Sequence, residues 1–232
     1  MKKLVRIAID GPVAAGKGTA AKILAQRLGF LYVDTGAMYR VATWLARKNK
    51  IDFEKGEKIA EVVEKAKIEM RTPSKQEEDG RLVTVEVDEK DLSWEIRGDE
   101  ITKNVATVAK NPQVRTVLVK KQQQIAEKNS VVMEGRDIGL RVLPKADLKI
   151  YLTASLTERA KRRHKELLSR GEEIDYKIVE EKIAQRDEKD MNRKTDPLKK
   201  AIDAWELDTS QLTIQETVDA IETKLKERKN GR

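Results

Sequence analysis

This chain of 232 residues lacks several residue types that carry chemistry in other proteins. It has no cysteine, which excludes disulfide bonds, thiolate metal sites and a cysteine nucleophile. Its one histidine, His164, cannot form a site with several histidine ligands within one chain. Aromatic residues make up only 4% of the sequence, which argues against a surface on which nucleic-acid bases stack.

Long apolar runs are also missing. No segment approaches the roughly 20 apolar residues that a membrane-spanning helix needs. The N-terminal MKKLVRIAID is interrupted by Arg6 and Asp10, unlike a signal peptide. Charged residues are abundant, at 38%, and the net charge of +8 favours anionic partners. These features predict a cytoplasmic enzyme or binding protein that is not attached to membranes.

Along most of the chain, short apolar segments alternate with segments of helical periodicity. The sequence predicts strands at 4–9, 31–36, 130–137, 146–155 and 204–210. It predicts helices at 17–28, 37–48, 57–66, 101–128 with a break at Pro112, 157–170, 176–192 and 214–228. This alternation predicts an α/β fold with a parallel sheet flanked by helices.

Residues 67–97 have a different character. KIEMR, the alternating RLVTVEV and DLSWEI are strand-like, and turn residues such as EEDG separate them. We therefore predict a small β-rich subdomain at 67–97, inserted into a core that consists of residues 1–66 and 98–232.

The stretch IAIDGPVAAGKGT predicts a phosphate-binding loop, or P-loop. Gly11, four residues, Gly16 and Lys17 follow an apolar strand and precede a helix, as in G-x-x-x-x-G-K. The glycines let backbone N–H groups face phosphate oxygens, and the lysine and the helix N-terminus add positive charge. Gly18 occupies the usual Ser/Thr position, so Thr19 is the candidate for a contact with Mg²⁺.

Arginines stand beside acidic residues in several later segments. They occur in DTGAMYR, NPQVR, EGRDIG, TERAKRRH and QRDEKDMNR. Guanidinium groups bind phosphate bidentately, which suits a site that holds two phosphorylated substrates for phosphoryl transfer. Helical spacing places Arg159 on one face with either Arg162 or Arg163, and it places Arg186, Asp190 and Arg193 on another.

These motifs resemble a known family. In chain order they are IDGPVAAGKGT, LYVDTGAMYR, DLSWEIR, NPQVR, EGRDIGLRVLPKADLKIYLTAS, RAKRR, QRDEKDMNR, DPLKKAIDA and LDTSQLTIQE. Together they resemble bacterial cytidylate kinases of the long type, which carry an insertion in the monophosphate-binding region. The resemblance implies a P-loop NTPase-type core, a helical lid at about 157–193 and transfer of the ATP γ-phosphoryl group to CMP or dCMP.

The resemblance also implies roles for individual residues. The ATP phosphates would be held by Gly11, Pro12, Val13, Ala14, Ala15, Gly16, Lys17, Gly18 and Thr19. CMP would be held by Thr35, Arg40, Arg115, Arg136, Asp137, Arg186, Asp190 and Arg193. The residues expected to act in the transfer itself are Lys17, Arg136, Arg159, Arg163 and Arg193.

Mg²⁺ is expected to arrive with ATP rather than to occupy a metal site of the protein. We expect a monomer that binds no nucleic acid. Two alternatives remain open from the residues: a different small P-loop kinase, such as an adenylate or shikimate kinase, and a basic protein that binds nucleotides or nucleic acid. Neither alternative kinase accounts for EGRDIG together with a β-rich insertion.

Overall fold

The computed structural model describes residues 3–77, 79–169 and 171–230, without the side chains of residues 229 and 230. Its strands are β1 (Arg6–Asp10), β2 (Leu31–Asp34), β3 (Ile68–Arg71), β4 (Thr84–Val87), β5 (Lys90–Asp91), β6 (Val131–Gly135), β7 (Leu148–Thr153) and β8 (Trp205–Asp208). Its α-helices are α1 (Lys17–Leu28), α2 (Thr35–Lys48), α3 (Gly56–Lys65), α4 (Asp99–Ala109), α5 (Pro112–Lys128), α6 (Leu156–Ser169), α7 (Tyr176–Asn192) and α8 (Ile214–Asn230). Outside 67–97, the predicted strands and helices are present with ends within two residues of the prediction. Residue 170, the predicted end of a helix, lies outside the described residues.

A parallel sheet of five strands has the order β2-β6-β1-β7-β8. In its register, Val33 lies opposite Met133, and Leu152 lies opposite Leu207. Nearly all residues of β1, β6 and β7 are buried, as expected for parallel strands that helices cover on both faces. The predicted α/β fold with a parallel sheet flanked by helices is confirmed.

Contacts between residues divide the chain into two compact units, of which the first contains residues 3–6 and 25–134. Its helices begin where the sequence places capping residues. The Asp34 carboxylate accepts the N–H of Ala37 at 3.0 Å at the start of α2, and Asn111 caps α5 just before Pro112. Its helical core includes the fully buried side chains Met38, Ile59 and Leu118.

This unit also contains an antiparallel sheet of order β3-β4-β5. The prediction of a strand over DLSWEI is wrong beyond Asp91, because Glu95–Arg97 form a 3-10 helix. Leu92 and Ile96 are both buried, a spacing that fits a strand and a helical turn equally well. Trp94, which a strand would bury beside them, is 51% exposed. The domain boundaries at 67 and 97 stay predictions, and residue 78 lies outside the described residues.

The second unit contains residues 7–24 and 135–230. It holds β1, β7 and β8, with helices α6, α7 and α8. Helices α6 and α7 pack against each other through a cluster of buried side chains, namely Ala160, Leu167, Val179 and Ile183. Val13 and Ala14, from the loop after β1, pack against the same cluster. Apolar contacts therefore join the predicted P-loop to this helical pair.

Candidate active site

The loop after β1 turns sharply in the way the P-loop motif requires. Gly11 has a φ of +151°, and a Cβ there would lie 2.0 Å from the carbonyl oxygen of Leu152, so only glycine fits. Gly16 has a φ of +85°. Ala14 also adopts a left-handed conformation, with a φ of +59°, which is uncommon for a residue with a side chain. Positive φ angles within the loop and the approach of β7 to Gly11 therefore both shape this turn.

Lys17 is the first residue of α1 and is buried. Its Nζ donates a hydrogen bond of 2.6 Å to the carbonyl oxygen of Pro12, which holds the ammonium group beside the loop. The first N–H groups of a helix have no acceptor within the helix, and the helix dipole adds positive charge at this end. Lys17 and the start of α1 together form a site suited to an anion. Thr19, in the same turn, is exposed.

Two charged residues of α6 and α7 contact the P-loop directly. The Arg159 guanidinium donates to the carbonyl oxygens of Ala154, at 2.9 Å, and Val13, at 3.2 Å. It also forms a buried ion pair with Asp187. The Asp187 carboxylate in turn accepts the N–H of Val13 at 3.3 Å. Arg159 and Asp187 thus bind the carbonyl oxygen and the N–H group of the same P-loop residue, Val13.

The next arginines of α6 differ in their surroundings. Arg163 forms a partly exposed ion pair with Glu166 at 2.8 Å. The Arg162 guanidinium donates to the hydroxyl oxygen of Thr209 at 3.0 Å and to the backbone carbonyl oxygen of Thr209 at 2.6 Å. The Arg162 Nη1 atom lies 3.9 Å from the position that a Cβ on Gly16 would occupy. Arg162 therefore lies beside the P-loop, although the sequence analysis assigned it no role.

The segment after β6 meets the C-terminal half of α7. Arg136 Nε donates to Asp190 Oδ2 at 2.7 Å, and Arg193 Nη2 lies 3.5 Å from Asp137 Oδ1. Arg186 lies near Arg136 and Asp190. Partial loss of hydration and the nearby Arg136 charge lower the pKa of its guanidinium below the usual value. The structure brings these five predicted residues together as an arginine-rich cluster within one unit.

Asp10, at the end of β1, is a buried acid to which the sequence analysis gave no role. Its two carboxylate oxygens accept the N–H groups of Ile138, at 2.7 Å, and Gly139, at 2.8 Å. Burial raises the pKa of this carboxyl to about 6, and the nearby Asp137 charge adds to the increase. The backbone hydrogen bonds oppose that increase.

The remaining predicted residues lie in the first unit. The Thr35 hydroxyl donates to the carbonyl oxygen of Glu134 at 2.7 Å. Arg115 is buried, and its guanidinium lies 5.3 Å from the centre of the Tyr39 ring, a cation–π distance. Thr35 and Tyr39 are four residues apart on α2 and therefore share a helix face. Thr35 and Arg115 are thereby associated through α2.

Arg40 is held by α4 and the segment before it. Its Nη1 donates to the Thr102 hydroxyl at 2.8 Å and to the carbonyl oxygen of Ile96 at 3.3 Å. Both of these acceptors are neutral groups.

Neither a preformed metal site nor a membrane span is found in the part of the chain that the structure describes. No three or more His, Asp or Glu residues there are grouped so that they could hold a metal ion. No helix there is both long enough and apolar enough to cross a bilayer.

Comparison with known proteins identifies the family. A family model for cytidylate kinase matches residues 7–227. The chain belongs to the cytidylate kinase family. It is 48% identical over 221 residues to the cytidylate kinases of Bacillus subtilis (strain 168) and Bacillus thuringiensis (strain Al Hakam), covering 95% of this chain and 96% of each relative.

A solved structure is similar to this chain at the level of the fold. An uncharacterized protein from Eubacterium ventriosum ATCC 27560 is similar with a TM-score of 0.54 at 12% identity, covering 96% of this chain and 98% of that one. The resemblance to cytidylate kinases that the sequence motifs indicated is confirmed. The roles of single residues in this family member stay predictions.

Sequence reasoning missed two buried acids, Asp10 and Asp187, beside the predicted site. Asp10 ends the apolar strand β1, and Asp187 follows Arg186, a predicted site residue. A carboxylate that closes an otherwise buried strand is a signal for Asp10, since a buried charge requires partners. The signal for Asp187 is its spacing, because it follows the apolar residues Val179 and Ile183 at intervals of four and so lies on the buried face of α7.

Proposed function

We propose that this chain is an ATP-dependent kinase that transfers the γ-phosphoryl group of ATP to CMP or dCMP, giving CDP or dCDP and ADP. The observation that carries the proposal is a P-loop with a buried lysine, Lys17, in a chain that belongs to the cytidylate kinase family. Phosphoryl transfer asks little covalent chemistry of the protein. It requires that both substrates be positioned and that the charge on the transferring group be stabilised.

On the donor side, residues 11–19 bind the ATP phosphates. Lys17 supplies a full positive charge at the start of α1, where the helix N-terminus adds to it. Arg159 and Arg163, on α6, approach the transferring phosphoryl group. Mg²⁺ bound with ATP would neutralise phosphate charge, and the hydroxyl of the exposed residue Thr19 would be its oxygen ligand from this chain.

On the acceptor side, arginines hold the phosphate of CMP, and a mixed set of residues reads the nucleoside. Arg40, Arg136 and Arg193 bind the phosphate, while Arg186 and Asp190 contact the sugar. In the structure Asp190 pairs with Arg136, and Asp137 lies beside Arg193. Substrate binding would replace carboxylates by phosphate oxygens at these arginines, which keeps each guanidinium paired.

Base recognition rests on Thr35, Arg115 and Asp137. Cytosine presents an exocyclic amine, an acceptor nitrogen and a carbonyl, which a carboxylate and a guanidinium can satisfy together. Uracil reverses part of this pattern, and an unpaired buried polar group would cost about 1–3 kcal/mol. CMP and dCMP are therefore the preferred acceptors, and UMP is a poor one.

The proposal extends to the state of the protein in the cell. We infer a cytoplasmic monomer whose partners are its nucleotide substrates, not nucleic acid or membranes. The absence of an aromatic stacking surface in the sequence and the mixture of charges along it support this view.

The test is release of ADP from Mg-ATP with CMP, dCMP, UMP, AMP, GMP or shikimate as the acceptor. We expect turnover largely confined to CMP and dCMP. Lys17→Ala should lower kcat at least about a hundredfold, because it removes a charge from the transferring phosphate. Lys226→Ala, an exposed lysine on α8, is the matched control and should behave as the wild type. Turnover of AMP or shikimate instead would favour another small kinase, and no turnover with intact ATP binding would favour a binding protein.

A further inference from the structure

Asp10 links two segments that are far apart in the sequence. It is the last residue of β1, immediately before the P-loop, and it is buried. Its carboxylate accepts the N–H groups of Ile138 and Gly139, which are 128 and 129 residues away. These are the first residues of the short π-helical segment Ile138–Val142, which follows Arg136 and Asp137. The carboxylate therefore caps this segment from another part of the fold.

Asp137 occupies the position where a capping side chain is usual. An Asp in that position commonly accepts an N–H from the first turn of its own helix. Here Asp137 has φ −146° and ψ 25°, and its side chain makes no capping hydrogen bond. Its carboxylate instead approaches Arg193, with 3.5 Å between Oδ1 and Nη2. Asp10 thus accepts the capping hydrogen bonds that the Asp137 side chain would otherwise accept.

We propose that Asp10 is a positioning residue: it caps the segment 138–142 in place of Asp137 and so sets the Asp137 carboxylate beside Arg193, where it meets the acceptor nucleotide. The proposal rests on the proposed function, in which Asp137 reads the cytosine. Asp10 itself does not touch the substrate. It sets the backbone after Arg136 and Asp137, and it fixes that backbone against the strand that leads into the P-loop.

The space around the carboxylate is tight. A Cβ on Gly139 would lie 3.3 Å from Asp10 Oδ2 and 3.2 Å from Lys149 Cδ. Glycine at 139 therefore allows the N–H to approach the carboxylate closely while Lys149 packs behind it. This fit supports a specific contact between Asp10 and the segment.

Burial makes the ionised form of the Asp10 carboxyl less favourable. The charged groups that act on it are Lys17 from the P-loop and Asp137 from the capped segment, and Tyr151 lies opposite it in β7. Burial and Asp137 raise the pKa of the carboxyl to about 6. A raised carboxyl pKa means that the stability contributed by this group is present below its ordinary pKa of 3.8 and is lost as the pH rises through 6.

Protonation gives the first test, in the wild-type protein and without a kinetic assay. A protonated carboxyl loses one of its two acceptors, so one of the two N–H groups becomes unpaired. We expect the protection factors of the Ile138 and Gly139 amides, measured by NMR hydrogen exchange, to fall about tenfold between pH 7.5 and pH 5. The Thr209 amide, which donates to the Thr153 carbonyl oxygen, is the control and should keep its protection. Unchanged protection at Ile138 and Gly139 would overturn the proposal.

Steady-state kinetics of Asp10→Asn gives the second test. An amide can accept only one of the two N–H groups, so the KM for CMP should rise about tenfold while the KM for ATP changes less than about threefold. Asp52→Asn is the matched control, since Asp52 also accepts a backbone N–H, that of Glu54, at an exposed turn. A rise confined to the KM for ATP, or no rise at all, would contradict the positioning role. If Asp10→Asn does not fold, the hydrogen-exchange result decides.

The dependence of kcat/KM on pH separates protonation of Asp10 from protonation of the substrate phosphate. The phosphate of CMP also has a pKa of about 6, so kcat/KM for CMP should fall below that pH in both proteins. The decrease should be steeper in the wild type, because only the wild type also protonates Asp10. Equal slopes would count against the proposal. A wild type that turns over no acceptor would instead overturn the proposed function, and the hydrogen-exchange result would still stand.

Discussion

Two groups of arginine–carboxylate pairs in this chain have the same chemistry and different surroundings. Beside the antiparallel sheet, Arg71 pairs with Glu77 at 2.7 Å and with Glu86 at 2.8 Å, and its side chain is 45% exposed. Between α6 and α7, Arg159 pairs with Asp187, and its side chain is only 8% exposed. The first pairs join residues at most 15 positions apart, whereas the second pair joins residues 28 positions apart and continues to the P-loop.

The comparison separates arginines that stabilise a local surface from arginines that organise a site. Two carboxylates surround Arg71 and raise the pKa of its guanidinium, so its charge is already matched. The pKa of the Arg186 guanidinium is shifted in the other direction: partial loss of hydration and the Arg136 charge lower it, and the Asp190 and Asp187 charges oppose the decrease. Several guanidinium groups close together form an environment in which an anionic substrate binds.

Burial also changes how much each ion pair contributes to the free energy of unfolding. Exposed ion pairs contribute at most about 1 kcal/mol, because water and salt screen them. Removal of one partner from a buried pair costs about 3–5 kcal/mol, since the other charge is left without compensation. Mutations in the two groups should therefore differ in both stability and activity.

The largest effect is expected for Asp187→Ala. This change leaves Arg159 buried without its carboxylate and removes the acceptor of the Val13 N–H, so the free energy of unfolding should fall by about 3–5 kcal/mol. The P-loop loses a contact at the same time, and the KM for ATP should rise. Urea denaturation and steady-state kinetics measure the two effects.

Glu188→Ala is the matched control for Asp187→Ala. Glu188 is the next residue on α7, and it is exposed. We expect this variant to keep the wild-type stability and KM for ATP. A Glu188 variant as unstable as the Asp187 variant would mean that loss of any acid from α7 matters, not loss of the buried pair.

An intermediate effect is expected for Asp137→Ala. Asp137 is buried next to Arg193, but the two charged groups are 3.5 Å apart, a looser pair than Arg159 with Asp187. The free energy of unfolding should fall by about 1–3 kcal/mol. In the proposed site Asp137 reads the base, so the KM for CMP and the preference over UMP should suffer more than ATP binding does. If CMP affinity and selectivity are untouched, the assignment of Asp137 to base reading is wrong.

The sequence predicted those parts of the fold and site that depend on local rules. The P-loop is recognisable because Gly11, Gly16 and Lys17 have a fixed spacing between an apolar strand and a helix. The break at Pro112 is recognisable because proline begins a helix well and interrupts one badly. DLSWEI was ambiguous, since the spacing of Leu92 and Ile96 fits two structures. Asp10 and Asp187 could not be assigned, because their partners lie 128 and 174 residues away and no local pattern connects them.

The smallest effect is expected for Arg71→Ala. The guanidinium is nearly half exposed, and Glu77 and Glu86 remain hydrated when it is removed, so Tm should fall by no more than about 3 °C. Turnover of CMP should be unchanged, because these pairs lie within the antiparallel sheet and its adjoining segment. Added salt should reduce the difference in Tm between wild type and variant, since it screens exposed charges. It should not reduce the difference caused by Asp187→Ala, whose partner is shielded from solvent. An Arg71 variant as unstable as the Asp187 variant would contradict the distinction between the two groups of arginines, because burial would then not determine what a pair contributes.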